Sequence, residues 1–389
     1  MTRPARLASL LLAGTVLAGT VLAAGCGSAA RQPGAPPVPA PPPSLATSLV
    51  TPAGTWAVAV MGGSAAEHDN FWQLFVRPTA TGKWRLATPP GVASNGGLVL
   101  ATPGAGSVVA GFRPSQELSY SPLATTHDNG KAWTAGLLGA ALADVPDALA
   151  AAPGGGHLLA LLTSGNAELS GPGGTAWTRL ATRQTLAASV AGRRCGLGSL
   201  AAAAFTPSGV PLLAASCTHP GTAGVFAYVG GSWQLAGPTL PASYAHQRVS
   251  VLRLTTTAGT TTALLAAGTG TEQRLLAAWS TGIGAHWALS QPLPLHGAKP
   301  TSVSSGPGGT VAVVLTGHHA QTITGPGGSW RSLPALPPGT ATLAPGPAGR
   351  WDALAVHGTR LAVWQLPPGH PAWATTQIIS VFIQFGSSG

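Results

Sequence analysis

Past residue 45 the chain is built from short apolar stretches broken at regular intervals by proline and glycine. The pair Leu98-Val99-Leu100-Ala101 and Val108-Val109-Ala110-Gly111-Phe112 is typical: each is too short for a helix and lies between turn residues, which predicts strands. The turn between such stretches recurs as Pro52-Ala53-Gly54, Pro103-Gly104-Ala105-Gly106, Pro153-Gly154-Gly155, Pro207-Ser208-Gly209, Pro307-Gly308-Gly309 and Pro347-Ala348-Gly349, with Thr257-Ala258-Gly259 filling the gap without proline. These seven copies are spaced 51, 50, 54, 50, 50 and 40 residues apart. A second series runs in phase with the first. Trp84, Trp133, Trp177, Trp233, Trp287, Trp330 and Trp373 each follow a turn by 23 to 32 residues, usually with a glycine shortly before.

Two seven-fold series in phase predict a four-stranded unit repeated seven times. Strand one precedes the Pro-x-Gly turn, strand two follows it, strand three leads to the second glycine turn, and strand four carries or follows the tryptophan. Radial packing of such sheets protects their edges, so the expected fold is all-β, a seven-bladed β-propeller of four-stranded blades over residues 45–389. No amphipathic helical period stands out; the stretch Ala135 to Ala152 is the strongest rival, and Gly136, Gly139 and Pro146 interrupt it. Ile378 to Phe385 reads as a strand that either completes the last blade or pairs with the first.

The N-terminal segment has a different pattern. Arg3 and Arg6 precede an uncharged apolar run from Leu7 to Leu22, followed by Ala23-Ala24-Gly25-Cys26. Charge, apolar run and small residues in that order read as a secretory signal peptide over residues 1–26. The ending resembles the lipobox of bacterial lipoproteins of the actinobacterial type, with Ala23 where leucine is usual; that resemblance implies lipid attachment at Cys26. The alternative is an uncut anchor, but the sixteen-residue run is shorter than a membrane span needs. Residues 27–44 are proline-rich, which favours an extended polyproline stalk. The expected location is therefore extracytoplasmic, on the outer face of the cell membrane, held there by more than one hydrocarbon chain.

Charged residues make up 7% of the chain, against about 25% for globular proteins generally. The recurring apolar runs and twelve tryptophans still argue for a packed fold rather than disorder. Loss of Arg3 and Arg6 with the signal lowers the formal net charge from +10 to +8. This suits attraction to anionic envelope polymers or head groups, although a high-GC coding bias alone would also enrich arginine. The longest basic cluster is Arg193-Arg194, so nucleic acid is not an expected partner. Cys195 and Cys217 flank an apolar-turn-apolar segment, Leu200 to Ala215, whose ends a hairpin would bring together, which predicts a disulfide in an oxidising compartment. Neither a CxxC nor a nearby histidine at ligand spacing supports a metal pair instead.

One tryptophan copy is sharper than the rest: Thr126-His127-Asp128-Asn129-Gly130-Lys131-Ala132-Trp133. It resembles the Asp-box, Ser/Thr-x-Asp-x-Gly-x-x-Trp, of sialidase-like (BNR-repeat) propellers; degenerate versions run from Ser170 to Trp177 and from Ser280 to Trp287. The resemblance implies that Thr126, Asp128, Gly130 and Trp133 are structural hairpin residues, and turn chemistry accounts for each of them. It also raises a sialidase-type activity, which in that family needs an arginine triad, a tyrosine nucleophile with a glutamate partner, and an acid/base aspartate. Phe112-Arg113-Pro114 matches an early family motif without its isoleucine, and Tyr120, Tyr228 and Tyr244 have no recognisable setting. His318-His319 reads as a solvated turn, since adjacent side chains on a strand point to opposite faces. No phosphate loop, dinucleotide fingerprint or Ser-His-Asp pattern is present.

The expected function is thus a non-enzymatic binding or scaffold module, monomeric, with no catalytic residues, metal or cofactor. Its partners would be the membrane through the lipid, and an anionic envelope polymer, glycan or protein. The alternatives are a sialidase-like glycoside hydrolase and an assembly factor for a membrane complex.

Overall fold

The structure, a computed structural model, describes residues 47–62, 70–89, 97–104, 106–113, 123–135, 146–172, 176–283 and 286–382. The expected signal peptide, Cys26 and the stalk lie outside the described residues, as does Tyr120. The described chain is a succession of antiparallel strands in chain order. Five sheets have four strands each, and a sixth has nine. The nine-stranded sheet is two further four-stranded meanders joined through the single pair Ser216↔Ser250, with the short strand Leu293–Pro294 alongside. The first meander runs Ser48–Thr51, Gly54–Gly62, Asn70–Pro78 and Arg85–Leu86. The later ones begin at Gly97–Gly104, Pro146–Ala151, Leu197–Phe205, Val249–Thr257, Pro300–Ser305 and Thr340–Pro345.

Both repeat series fall where the pattern predicts. All seven Pro-x-Gly copies join the first strand of a meander to its second, and all seven tryptophans stand within a residue of the start of the fourth strand. The terminal strand is Ala374–Ser380; it pairs with Arg360–Leu366 and completes the last meander.

The apolar runs in the second strands follow from burial on both faces. In Gly54–Gly62, Trp56 and Val58 pack toward the second meander while Ala57, Ala59 and Met61 pack toward the last. In Thr260–Ala267, Ala263, Leu265 and Ala267 face the fourth meander, and Leu264 and Ala266 face the sixth. Alternate side chains point to opposite faces, so a sheet covered on both sides needs apolar residues at every position. The buried residues form seven clusters, each shared by two meanders adjacent in the chain or by the last and the first.

The repeat tryptophans also tie neighbours together through hydrogen bonds. The indole N–H of Trp287 donates to the Ala236 carbonyl at 2.8 Å, that of Trp330 to Gln291 at 2.9 Å, and that of Trp373 to Pro334 at 3.3 Å. Each acceptor lies just past the fourth strand of the preceding meander. Trp84 makes the equivalent reach from the first meander to the last, and its acceptor is the Asp352 carboxylate at 2.7 Å. Arg77 bonds the same oxygen and also donates to Thr55 Oγ1 and the Pro345 carbonyl. Arg350 Nε lies 3.2 Å from the other Asp352 oxygen, and Gln377 bonds both the N–H and the carbonyl of Trp84. The Asp352 side chain is fully buried and that of Arg77 is 5% exposed. Burial pushes the Asp352 carboxyl up from its ordinary value against the pull of Arg77, and holds the Arg77 guanidinium below its own.

Two short helices depart from the all-β expectation: α1, Arg183–Ala188, and α2, Val190–Cys195. The Thr182 and Thr185 side chains close a capping box on α1; Ser189 caps α2, which ends at Gly196 in the left-handed region. Their six-residue length is too short to show a helical period. The disulfide joins Cys195, at the end of α2, to Cys217 on Pro211–Cys217, and so fastens the helical pair to the fourth meander.

Two predictions follow from these contacts. Asp352→Ala leaves Arg77 buried without its partner and should lower the unfolding free energy by about 3–5 kcal/mol; the double replacement Asp352→Leu with Arg77→Met should recover most of that loss in denaturant titration. Reduction of Cys195–Cys217, separated by 22 residues, should lower stability by about 3 kcal/mol on the chain-entropy estimate. Amide exchange should then rise first in α1 and α2, and uniform exchange across the sheets would contradict this placement.

Candidate functional site

The Asp-box residues meet in one hairpin turn. Thr126 ends the strand Leu123–Thr126, and its hydroxyl donates to Asp128 Oδ1 at 2.8 Å while accepting the Gly130 N–H at 2.8 Å. Asp128 Oδ1 also accepts the N–H groups of Lys131 at 2.9 Å and Ala132 at 3.0 Å. The Ala132 N–H, followed by the Thr126 hydroxyl, holds the Asp128 carboxyl below the usual carboxylate range. Asn129 and Gly130 carry φ of 61° and 76°. A side chain at Gly130 would also press on Ala87 and Trp56, both at 3.1 Å. Trp133 stands edge-on to Trp56, with ring centroids 6.3 Å apart, in the core shared by the first two meanders. Arg85 reaches across from the first meander to the carbonyls of Asn129 and Gly130. Every side chain of the motif is thus engaged in the turn or the packing behind it. In the copy that begins at Ser280, the hydroxyl takes up part of the same role, bonding the Gly282 carbonyl at 2.9 Å.

Among the described residues considered for a sialidase site, Tyr228 and Tyr244 are not gathered together. Tyr228 lies against Trp233, ring centroids 5.1 Å apart, and Tyr244 is buried between the fourth and fifth meanders. Phe112 is buried between the first two, next to Arg113 at the end of Ser107–Arg113. His318 sits in a turn at φ 62° and His319 begins the next strand; both are exposed.

A different place collects the chemistry. The first strands of the first six meanders surround a cavity of about 350 Å³. Its wall is mostly aliphatic, with Leu98, Leu100, Leu149, Leu200 and the run Ala201–Ala204 contributing. Three charged residues reach it: Asp147, Arg253 and Lys299. A recurring irregularity shapes this wall. In the first strands of the third to seventh meanders the pairing register skips one residue, namely Asp147, Ala201, Leu252, Thr301 and Ala341. Such bulges bend a strand and re-aim its side chains. In Val249–Thr257 the bulge makes Val251 and Leu254 share the core with the fourth meander, and Arg253 between them lines the cavity.

Arg253 is a cation without a counter-charge among the described residues. Among the described residues its Nε is sealed from solvent and has no hydrogen-bond partner. Desolvation alone pulls its pKa down to about 10, which leaves it protonated at neutral pH. Asp147 is engaged by the Thr163 hydroxyl at 3.2 Å. Lys299 is exposed, just before the strand Pro300–Ser305. Sequence reasoning passed over Arg253, although an arginine inside Val249-Ser250-Val251-Leu252-Arg253-Leu254 is the visible signal: a charge where the pattern calls for an aliphatic residue.

No family model and no curated protein sequence matches the chain. Similar solved structures are found. YCF48 from Cyanidioschyzon merolae aligns with a TM-score of 0.52 at 14% identity, over 86% of this chain and 98% of that chain. The β-propeller domain of Cps50 (Swd1) from Myceliophteria thermophila gives 0.53 at 12%, over 84% and 97%. The GH74 xyloglucanase from Xanthomonas campestris gives 0.53 at 13%, over 83% of this chain and 52% of that chain. At such identities the likeness is one of fold, and the fold is a β-propeller.

Asp128→Ala removes the acceptor for two backbone donors, so amide exchange at Lys131 and Ala132 should rise selectively while the cavity among the first strands is unaffected. The pH dependence has a definite sign. Because the native carboxyl is held below its ordinary value, its protection of these amides persists above that value and is lost as pH falls through the depressed one. Loss of protection already above pH 5 would contradict the assignment.

Proposed function

We propose that this protein is a binding module held outside the cytoplasm by a lipid on Cys26. Its domain is a closed ring of seven four-stranded blades, and its ligand seat is the cavity on the ring axis. The observation that carries this reading is the cavity: about 350 Å³, mostly aliphatic, walled by the first strands of six meanders. That volume falls within the range of small-ligand pockets, about 300–1,000 Å³, and a few polar groups in an apolar wall are their usual composition. Closure of the ring is supported by the core shared between the first and last meanders and by the Arg77–Asp352–Trp84 contacts.

Binding rather than glycoside cleavage is favoured by what lines the seat. Cleavage of a glycosidic bond requires a pair of positioned carboxyl groups, or a tyrosine with its glutamate in the sialidase manner. Among the described residues the wall presents one carboxylate, Asp147, and no tyrosine or glutamate. The similarity to a xyloglucanase is one of fold, and activity does not follow from fold.

Anchoring is supported by the order of charge, apolar run and small residues before Cys26 and by the proline-rich stretch after it. Metabolic labelling with palmitate should mark the protein in the membrane fraction, and Cys26→Ser should abolish the label; a labelled Cys26→Ser protein would disprove the anchor. For the cavity, a neutral apolar dye such as Nile red should bind the full chain with a blue-shifted emission. Ala201→Trp, which projects an indole from the bulge into the cavity, should remove that signal while the melting transition stays cooperative. Unchanged dye binding in a folded Ala201→Trp protein would place the ligand seat elsewhere.

A further inference from the structure

We propose that the axial cavity takes a small apolar molecule bearing a single carboxylate, with Arg253 as the residue that receives the charge. This rests on the cavity reading above and names its ligand class. The wall supplies the first half of the specificity. Leu98, Leu100, Leu149 and Leu200 present hydrocarbon and no donors or acceptors of their own, so the body of the ligand is apolar.

Arg253 supplies the second half. A half-buried guanidinium with a sealed, unpartnered Nε and no counter-charge among the described residues is a destabilising feature unless something outside the chain satisfies it. The neighbouring hydroxyls do not do so: Thr255 donates to Ser305 Oγ at 3.1 Å, and Thr256 is bonded to the Phe205 carbonyl and to Thr261. Asp147, the carboxylate of the wall, is held by Thr163 and exerts no pull on Arg253. The Arg253 Nε is sealed, while the rest of the residue keeps part of its surface toward the cavity, so the terminal nitrogens are the ones left to bind. A guanidinium offers parallel N–H donors that match the two oxygens of a carboxylate.

The wall's three charged residues, Asp147, Arg253 and Lys299, sum to one net positive charge, which selects a monoanion. A phosphate dianion would leave one negative charge unmatched in an aliphatic enclosure, whereas a monocarboxylate is neutralised by one guanidinium. Lys299, exposed at the start of its strand, adds a second positive charge where an anion could first be attracted, without enclosing it.

The test uses the full chain in lipid nanodiscs, with empty discs as the blank, and compares three probes by calorimetry. Octanoate carries tail and charge, octan-1-ol the tail alone, and acetate the charge alone. Octanoate should bind at least tenfold more tightly than octan-1-ol, and acetate should not bind measurably. Arg253→Met should erase the advantage of octanoate over octan-1-ol, whereas Arg253→Lys should keep part of it. Without ligand, Arg253→Met should melt at a higher temperature than the parent, because it removes an unpaired charge; a purely structural arginine would shift it the other way. Equal binding of octanoate and octan-1-ol, or an advantage that survives Arg253→Met, overturns the carboxylate assignment and leaves the cavity reading standing. If neither octanoate nor octan-1-ol binds, both readings fall.

Discussion

Burial on both faces of every sheet is the constraint on which this architecture depends. A four-stranded meander with aliphatic residues at successive positions cannot stand in water on either side, so each one needs two neighbours. A linear stack would leave two uncovered ends; here the first and last meanders share a core. Six of the seven seams join meanders that follow one another in the chain. The seventh joins residues nearly three hundred positions apart, and among the described residues no strand is exchanged across it: the first meander is built from its own segment and so is the last. That seam is where a charged network is buried. In three of the other seams the repeat tryptophan donates to a backbone carbonyl of the preceding meander. At the seventh, Trp84 donates to a carboxylate that Arg77 and Arg350 also engage. Bonds to ionised groups are stronger than those between neutral ones. The polar contact is therefore reinforced at the one seam that chain continuity does not hold.

The features legible in the sequence are those whose cause is local. A Pro-x-Gly turn needs particular backbone angles at each occurrence, and these are recorded in residue type seven times over; Gly309, at φ 72° with a Trp279 ring atom 2.7 Å from where its side chain would begin, shows how little latitude remains. The tryptophans repeat because every seam poses the same filling problem. The disulfide was visible because a hairpin brings its flanks together. Features with distant or non-specific causes were not visible. Arg77 and Asp352 are 275 residues apart and have no pattern in common. The helices α1 and α2 are each one and a half turns long, and their evidence is in caps rather than periodicity. The bulged positions Asp147, Ala201, Leu252, Thr301 and Ala341 are an aspartate, two alanines, a leucine and a threonine, with no one residue type to mark them.

That last point explains why the site was harder to read than the fold. Whether Arg253 faces a neighbouring blade or the axis is decided by a one-residue register shift beside it, since a slip of one position exchanges the two faces of a strand. The charge was plain in the sequence, but its direction depended on a bulge that leaves no sequence mark. The Asp-box shows the converse. It has the most recognisable motif in the chain, and its side chains are fully committed to holding a turn and to the packing behind it.

The cavity is where the converging sheets have least side chain to spare. The first strands of six meanders converge there, and large residues from all of them could not fit, so the wall is rich in alanine and retains an unfilled volume. The repeat thus produces an apolar enclosure as a by-product of that convergence. Such a volume lined only by aliphatic groups would accept apolar molecules with little discrimination. One guanidinium changes that, because in a low-dielectric enclosure a ligand that neutralises the charge gains an interaction and one that cannot leaves it unsatisfied. Specificity at this site can then come from a single residue, with the scaffold's stability carried by the seams around it and any loss at Arg253 tolerated by them.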